Sequence, residues 1–77
     1  MEYIDVTARF FPNGTLRPLY ITWEDGTRYE IDRVTDVRRA ASLKQGGVGI
    51  RYTCRICGQL RYLYLDGNRW FISRTDR

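Results

Sequence analysis

Apolar and polar residues alternate one by one along most of this chain. Ile4, Val6, Ala8 and Phe10 interleave with Tyr3, Asp5, Thr7 and Arg9. Leu19, Ile21 and Trp23 interleave with Tyr20 and Thr22, and Val48, Ile50, Tyr52, Cys54 and Ile56 with Gly49, Arg51, Thr53 and Arg55. Successive side chains of a strand point to opposite faces, so each run has one side for a core and one for water. Asn13-Gly14, Asp25-Gly26, Gly46-Gly47, Gly58-Gln59 and Asp66-Gly67 separate the runs, and these are residue types that tolerate turn geometry. The pattern predicts an all-β fold: a small antiparallel barrel of five or six short strands in meander order, SH3-like. Alternatives are an OB-like barrel, or an α+β fold with one short helix near residues 35–44.

Register tests each turn, because inward residues must pair with inward residues. A two-residue Asn13-Gly14 loop pairs Ala8 with Leu19, Val6 with Ile21 and Ile4 with Trp23, all on one side. Pro18 lacks a donor and suits an edge or a bend. A two-residue Asp25-Gly26 loop sets Trp23 against Arg28, so a three-residue Glu24-Asp25-Gly26 loop with left-handed Gly26 is expected, followed by a G1 bulge. It pairs Ile21 with Tyr29 and Leu19 with Ile31. Val34 is out of phase with Ile31, so the strand bulges or bends near Asp32-Arg33. An extended run then reaches about Arg38, and a loop ends in Gln45-Gly46-Gly47. The competing helix would use Val34, Val37, Ala40 and Ala41 as one face, capped by Thr35 or Asp36. A Gly58-Gln59 loop pairs Cys54 with Leu63 and Tyr52 with Leu65 inside, and Arg55 with Tyr62 and Thr53 with Tyr64 outside. A Gly67-Asn68 loop pairs Leu65 with Trp70, Leu63 with Ile72 and, outside, Tyr64 with Phe71.

At 77 residues the chain has room for one domain, residues 1–77, with a frayed tail over 74–77. Such a domain buries only about 60–65% of its unfolded surface, and two Trp, six Tyr and three Phe supply large buried areas from few positions. No internal repeat, linker or low-complexity tract stands out. The first residues carry no basic segment followed by an apolar stretch, and no apolar run approaches the ~18 residues of a membrane span. The two cysteines do not form a secreted disulfide framework. A cytoplasmic chain without membrane contact is expected.

The net charge of +4 is unevenly placed. Residues 1–32 hold six acids and three bases, a net −3, and residues 33–77 hold ten bases and three acids, a net +7. Twelve of the thirteen bases are Arg, which favours planar, bidentate contact with carboxylate or phosphate.

Catalysis is not expected. The chain has no His, Ser42 and Ser73 have no base nearby in sequence, and no close carboxylate pair is evident. Cys54-Arg55-Ile56-Cys57-Gly58 has the form of a metal knuckle, but structural zinc takes four ligands. Alternation also places Cys54 inside and Cys57 outside. No metal site, cofactor or redox pair is expected, leaving dimer-shared zinc as a minor reading. Lys44-Gln45-Gly46-Gly47-Val48-Gly49 lacks Walker spacing and reads as a connection or bulge.

The outer side of the last three strands is where binding chemistry collects. It displays Arg51, Thr53, Arg55, Tyr62, Tyr64 and Phe71, with Arg61 and Arg69 at strand ends. Small barrels and RRM-type sheets stack bases on such rings and hold phosphates with such cations. The sequence predicts a binding module with Arg51, Arg55, Arg61 and Arg69 on phosphates, and Tyr62, Tyr64 and Phe71 on bases of a single strand. Two alternatives remain. The rings could instead cover a second, minor core under residues 32–47 with Arg stacked over them, or the same face or an open strand edge could serve a protein partner or a homodimer.

Thr22-Trp23-Glu24-Asp25-Gly26, Tyr29-Glu30-Ile31-Asp32-Arg33-Val34, Ala40-Ala41-Ser42-Leu43-Lys44, Gly49-Ile50-Arg51-Tyr52 and Arg69-Trp70-Phe71 resemble stretches of a group of short bacterial proteins of unknown function. The hairpin of residues 23–34 and Trp70 also look like the small β-barrel appendages found beside some bacterial DNA-repair polymerases. The first resemblance implies no activity. The second implies a link to nucleic-acid processing. The cysteine pair belongs to neither pattern.

Overall fold

The computed structural model describes residues 2–41 and 48–74, and the side chains of all of these except Val48 and Arg74. Alternation becomes seven antiparallel strands: β1 (Glu2–Tyr3), β2 (Asp5–Phe10), β3 (Leu16–Thr22), β4 (Arg28–Ala41), β5 (Val48–Ile56), β6 (Gln59–Asp66) and β7 (Arg69–Arg74). Among the described residues there is no helix. The helix considered for 35–44 is strand as far as Ala41, three residues beyond the expected end of the extended run. The loop ending in Gln45-Gly46-Gly47 and the tail after Arg74 lie outside the described residues.

The strand order is β1-β7-β6-β5-β4-β3-β2, a meander with the first strand added beyond the last. β1 and β2 stand at opposite ends of that order, yet only Ile4 separates them in the chain. The sheet must therefore curl until its two ends meet along residues 2–10. Ile4 marks the crossing, its N–H donating to the Trp70 carbonyl at 3.1 Å. This hand-over accounts for the strand count of seven rather than five or six. It also replaces the expected pairing of Ile4 with Trp23.

Inside the curl lie Ile21, Ile31, Tyr52, Cys54, Ile56, Leu63 and Ile72, with Ile4, Val6, Val34, Ile50, Leu65 and Trp70 packed around them. These are the inward positions of the alternation. Tyr52 can enter this apolar layer because its hydroxyl donates to the Leu16 carbonyl at 3.1 Å, and its ring lies 5.5 Å from that of Trp70. Trp23 and Tyr29, also expected to face inward, are exposed beside the second turn.

The first two turns are built alike, a short repeat at twelve-residue spacing. In Phe11-Pro12-Asn13-Gly14-Thr15, the Phe11 N–H donates to Thr15 O at 2.8 Å and the Gly14 N–H to Phe11 O at 2.9 Å. Trp23-Glu24-Asp25-Gly26-Thr27 repeats both bonds, at 2.8 and 2.9 Å. Gly14 and Gly26 take φ of 88° and 87°, the left-handed position of a three-residue loop with a G1 bulge. The second turn is as expected, and Ile21 pairs with Tyr29. The ladder there stops at Tyr20 and Glu30, short of the expected Leu19–Ile31 pair. The first turn is a correction, having three loop residues where two are expected. Pro12 fixes φ for the first centre of a type I turn, and Asn13 does not take the positive φ that a type I′ turn demands. A bulge between Thr7 and Ala8 then sets Ala8 opposite Pro18 instead of Leu19, at the proline that cannot donate. It restores the expected pairing of Val6 with Ile21.

The side chains of the two turns differ in one respect. Asn13 Oδ1 accepts from the Thr15 N–H at 3.0 Å, and Asp25 Oδ1 from the Thr27 N–H at 2.9 Å. The bonds from Thr27 hold the Asp25 carboxyl below its ordinary value of 3.8. A depressed folded value adds stability above the ordinary pKa, and that increment is lost as pH falls through the depressed one. Asp25→Asn, which copies the sister turn, is expected to fold normally and to flatten the fall of melting temperature on acidification below about pH 4. Thermal melts of both proteins from neutral pH to about pH 2 check this.

Farther along, β4 bulges between Ile31 and Arg33, as the phase of Val34 requires, and again between Val34 and Asp36. The turn between β5 and β6 is a second correction. It is centred on Cys57-Gly58, at φ of 53° and 76°, and not on Gly58-Gln59. Two successive positive φ values are the mark of a type I′ turn. Pairing slips by two, so Tyr52 meets Leu63, Cys54 meets Arg61, Thr53 meets Tyr62 and Arg51 meets Tyr64. A slip of two keeps every residue on its side. The β6–β7 hairpin has the expected register throughout, including Tyr64 with Phe71.

Candidate functional site

Strand pairing assembles a cross-strand row on the outer face. Arg38 of β4 lies opposite Arg51, Arg51 opposite Tyr64, Tyr64 opposite Phe71, and Phe71 opposite Tyr3 of β1. A second row runs from Asp36 through Thr53 and Tyr62 to Ser73. The side chains knit these rows together. The Arg51 guanidinium sits over the Tyr62 ring, 4.6 Å from its centroid. Tyr62 and Tyr64, two residues apart on one strand face, meet edge to face at 6.2 Å. The Arg69 guanidinium lies over Tyr3 at 5.0 Å. Arg38 Nε donates to Asp36 Oδ2 at 2.8 Å. Arg55 reaches back across its own turn to the Gly58 carbonyl at 3.1 Å.

Phe71 is the first of the expected site residues to need correction. It stands on the outer face but is only 1% exposed. Tyr3, itself 51% exposed, stacks on it with centroids 4.3 Å apart. β1 thus covers Phe71 and offers its own ring to solvent. Nothing in the local pattern around Phe71 signals this, because the cover comes from the other end of the chain. Tyr62 and Tyr64 are half-buried, and Arg51 lies over Tyr62 as the minor-core reading has it, but the cover on Phe71 comes from β1, where that reading puts residues 32–47.

Arg61 is the second correction. It shares the parity of Leu63 and sits opposite Cys54, so it belongs to the inward side at the sheet's end. There its Nη2 donates to Gln59 Oε1 at 2.8 Å. The face brings together Arg51, Arg55, Tyr62, Tyr64 and Arg69 and adds Tyr3 and Arg38, while Arg61 stands apart.

Arg51 is the least satisfied group of the cluster. Its Nε is buried and has no hydrogen-bond partner. Stacking on Tyr62 fixes the plane of the guanidinium, and delocalised charge tolerates partial desolvation better than an ammonium would. The arrangement offers a positioned cation beside two half-buried tyrosine rings.

The cysteines stand as alternation places them. Cys54 is fully buried, and Cys57 is exposed at the turn. Burial pushes the Cys54 thiol up to about 12, and its Sγ donates weakly to the Tyr52 carbonyl at 3.8 Å. A thiol so disfavoured as thiolate is a poor nucleophile and a poor ligand. Among the described residues no three His, Cys, Asp or Glu side chains gather where they could hold a metal ion, and no helix is long and apolar enough to cross a membrane. Compared with known protein families, with curated proteins and with solved structures, the chain has no match.

Proposed function

We propose that this protein is a small non-enzymatic binding module, a curled SH3-like barrel whose outer face over β5, β6, β7 and β1 takes single-stranded nucleic acid. The observation that carries the reading is the Arg51 guanidinium held over Tyr62 beside the edge-to-face Tyr62–Tyr64 pair. Bases stack on aromatic rings and on guanidinium planes, and sequence-tolerant stacking contributes about 1–3 kcal/mol per base. Tyr3, Tyr62 and Tyr64 serve as the stacking groups. Arg51, Arg55 and Arg69 serve as the phosphate contacts. Phe71 acts as the buried support of Tyr3. The resemblance of the hairpin of residues 23–34 to barrel appendages of repair polymerases points the same way.

Three phosphate contacts set the expected salt dependence. A single strand loses roughly 0.7 log units of affinity per tenfold salt for each neutralised phosphate, so a slope of about −2 is expected. Fluorescence anisotropy of a labelled mixed-sequence oligonucleotide across a salt series measures it. Arg51→Ala should lower the slope by roughly 0.7, and Tyr62→Ala should weaken binding with the slope unchanged. No binding at low salt would remove the reading.

A further inference from the structure

We propose that the protein self-associates through the free edge of β4, two copies joining their sheets antiparallel around a two-fold axis at Val37. β4 pairs with β3 only over residues 28–30, and among the described residues no strand pairs with its other edge from 36 to 41. Over that stretch its pairing with β5 is regular, one residue for one, beyond the second bulge. An exposed regular edge is a template for strand addition, and cells usually protect such edges with charge. Here the charges are self-complementary.

A two-fold axis relating antiparallel strands stands normal to the sheet. It keeps outer face with outer face, and one residue must sit on it. Asp36, Arg38 or Arg39 on the axis would meet its own charge. Val37 on the axis sets Asp36 opposite Arg38 of the second copy and Arg38 opposite Asp36 of the second copy. Opposite charges directly across an antiparallel pair attract, and like charges repel. Val37 is 54% exposed and would cover itself in the pair. The Asp36 and Arg38 side chains keep 39% and 68% of their surface open, so both are free to add a second partner to their existing bond.

This pairing also bears on the outer face. The row from Tyr3 through Phe71, Tyr64, Arg51 and Arg38 would run on into Asp36, Thr53 and Tyr62 of the second copy, making one continuous face from two. The inference does not require that nucleic acid binds there, and its test contains none.

Sedimentation equilibrium of the full chain over a micromolar to millimolar series should show the mass rising from 9.2 kDa toward twice that value. Arg38→Glu places Glu against Asp36 across the axis and should hold the protein at the monomer mass throughout. Val37→Asp, which sets two carboxylates on the axis, should do the same. The double variant Asp36→Arg with Arg38→Glu exchanges the charges, recreates the complementarity and should restore association. Circular dichroism melts of each variant check that it is folded, as expected for exposed positions. A wild-type chain that stays at 9.2 kDa at millimolar concentration overturns the proposal. So does an Arg38→Glu protein that still dimerises, or a folded charge-exchanged protein that does not.

Discussion

Replacing Leu63 by Ala should lower the melting temperature by about 12–24 °C. Leu63 is 0% exposed and stands opposite Tyr52 on one side and Ile72 on the other. Truncating a fully buried Leu costs about 2–5 kcal/mol, the upper part where neighbours cannot collapse into the gap. Strands on both flanks of β6 fix those neighbours by main-chain ladders, so collapse is limited and a cost of about 3 kcal/mol is expected. In a domain this small, each kcal/mol moves the melting temperature by about 4–8 °C. Total stability at about 0.05–0.15 kcal/mol per residue is on the order of 4–12 kcal/mol, so one substitution removes a large share of it. A differential scanning calorimetry shift below about 4 °C would mean that Leu63 does not lie at the centre of the core.

The second large effect is expected from Gly49→Ala, and its cause is backbone rather than side chain. A Cβ on Gly49 would lie 2.6 Å from the Leu65 carbonyl oxygen, 3.5 Å from its carbonyl carbon and 3.7 Å from the Asp66 Cα. All three neighbours are main chain, so no rotamer change relieves the contact. β5 and β6 would have to part just where Ile50 pairs with Leu65, at a cost of about 1–3 kcal/mol. The same change at Gly14 or Gly26 meets open space and is opposed instead by the positive φ. Chemical denaturation of Gly49→Ala should show a lowered midpoint with an unchanged slope. An unchanged midpoint would contradict the close approach of the two strands.

Alternation made most of the faces legible, but parity is blind to a slip of two. The β5–β6 hairpin illustrates this. Loops at Gly58-Gln59 and at Cys57-Gly58 keep identical faces, and only the left-handed Cys57 distinguishes them, an unusual residue for that position. The two G1 turns show the complementary case. A two-residue loop at Asp25-Gly26 puts Arg28 against Trp23, so polarity rejects it and the longer loop is read correctly. At Asn13-Gly14 the bulge beside Pro18 cancels the extra loop residue, and below it the pairing matches that of the shorter loop. Polarity therefore had nothing to reject. The bulge near Asp32 was legible because Val34 falls out of phase.

The site was legible as far as parity reaches. Tyr62, Tyr64, Arg51 and Arg55 share one face, as expected, and Arg69 stands at its edge over Tyr3. Phe71 was placed on the correct side but not as covered, because its cover, Tyr3, comes from a two-residue strand at the far end of the sequence. The same long-range pairing closes the curl, and no local pattern encodes it. Arg61 stands near that face in the sequence only as a strand-end residue, and its parity with Leu63 ties it to the inward side.

The most direct test is an NMR titration of the 15N-labelled chain with a short mixed-sequence single strand at low salt. The account predicts that amides of Arg51, Thr53, Tyr62 and Tyr64 move most and that Tyr3 and Arg69 follow. Cys54, Arg61 and Leu63 on the inward side should stay in place. A titration in which those outer amides are still, or in which the inward set moves instead, would contradict it.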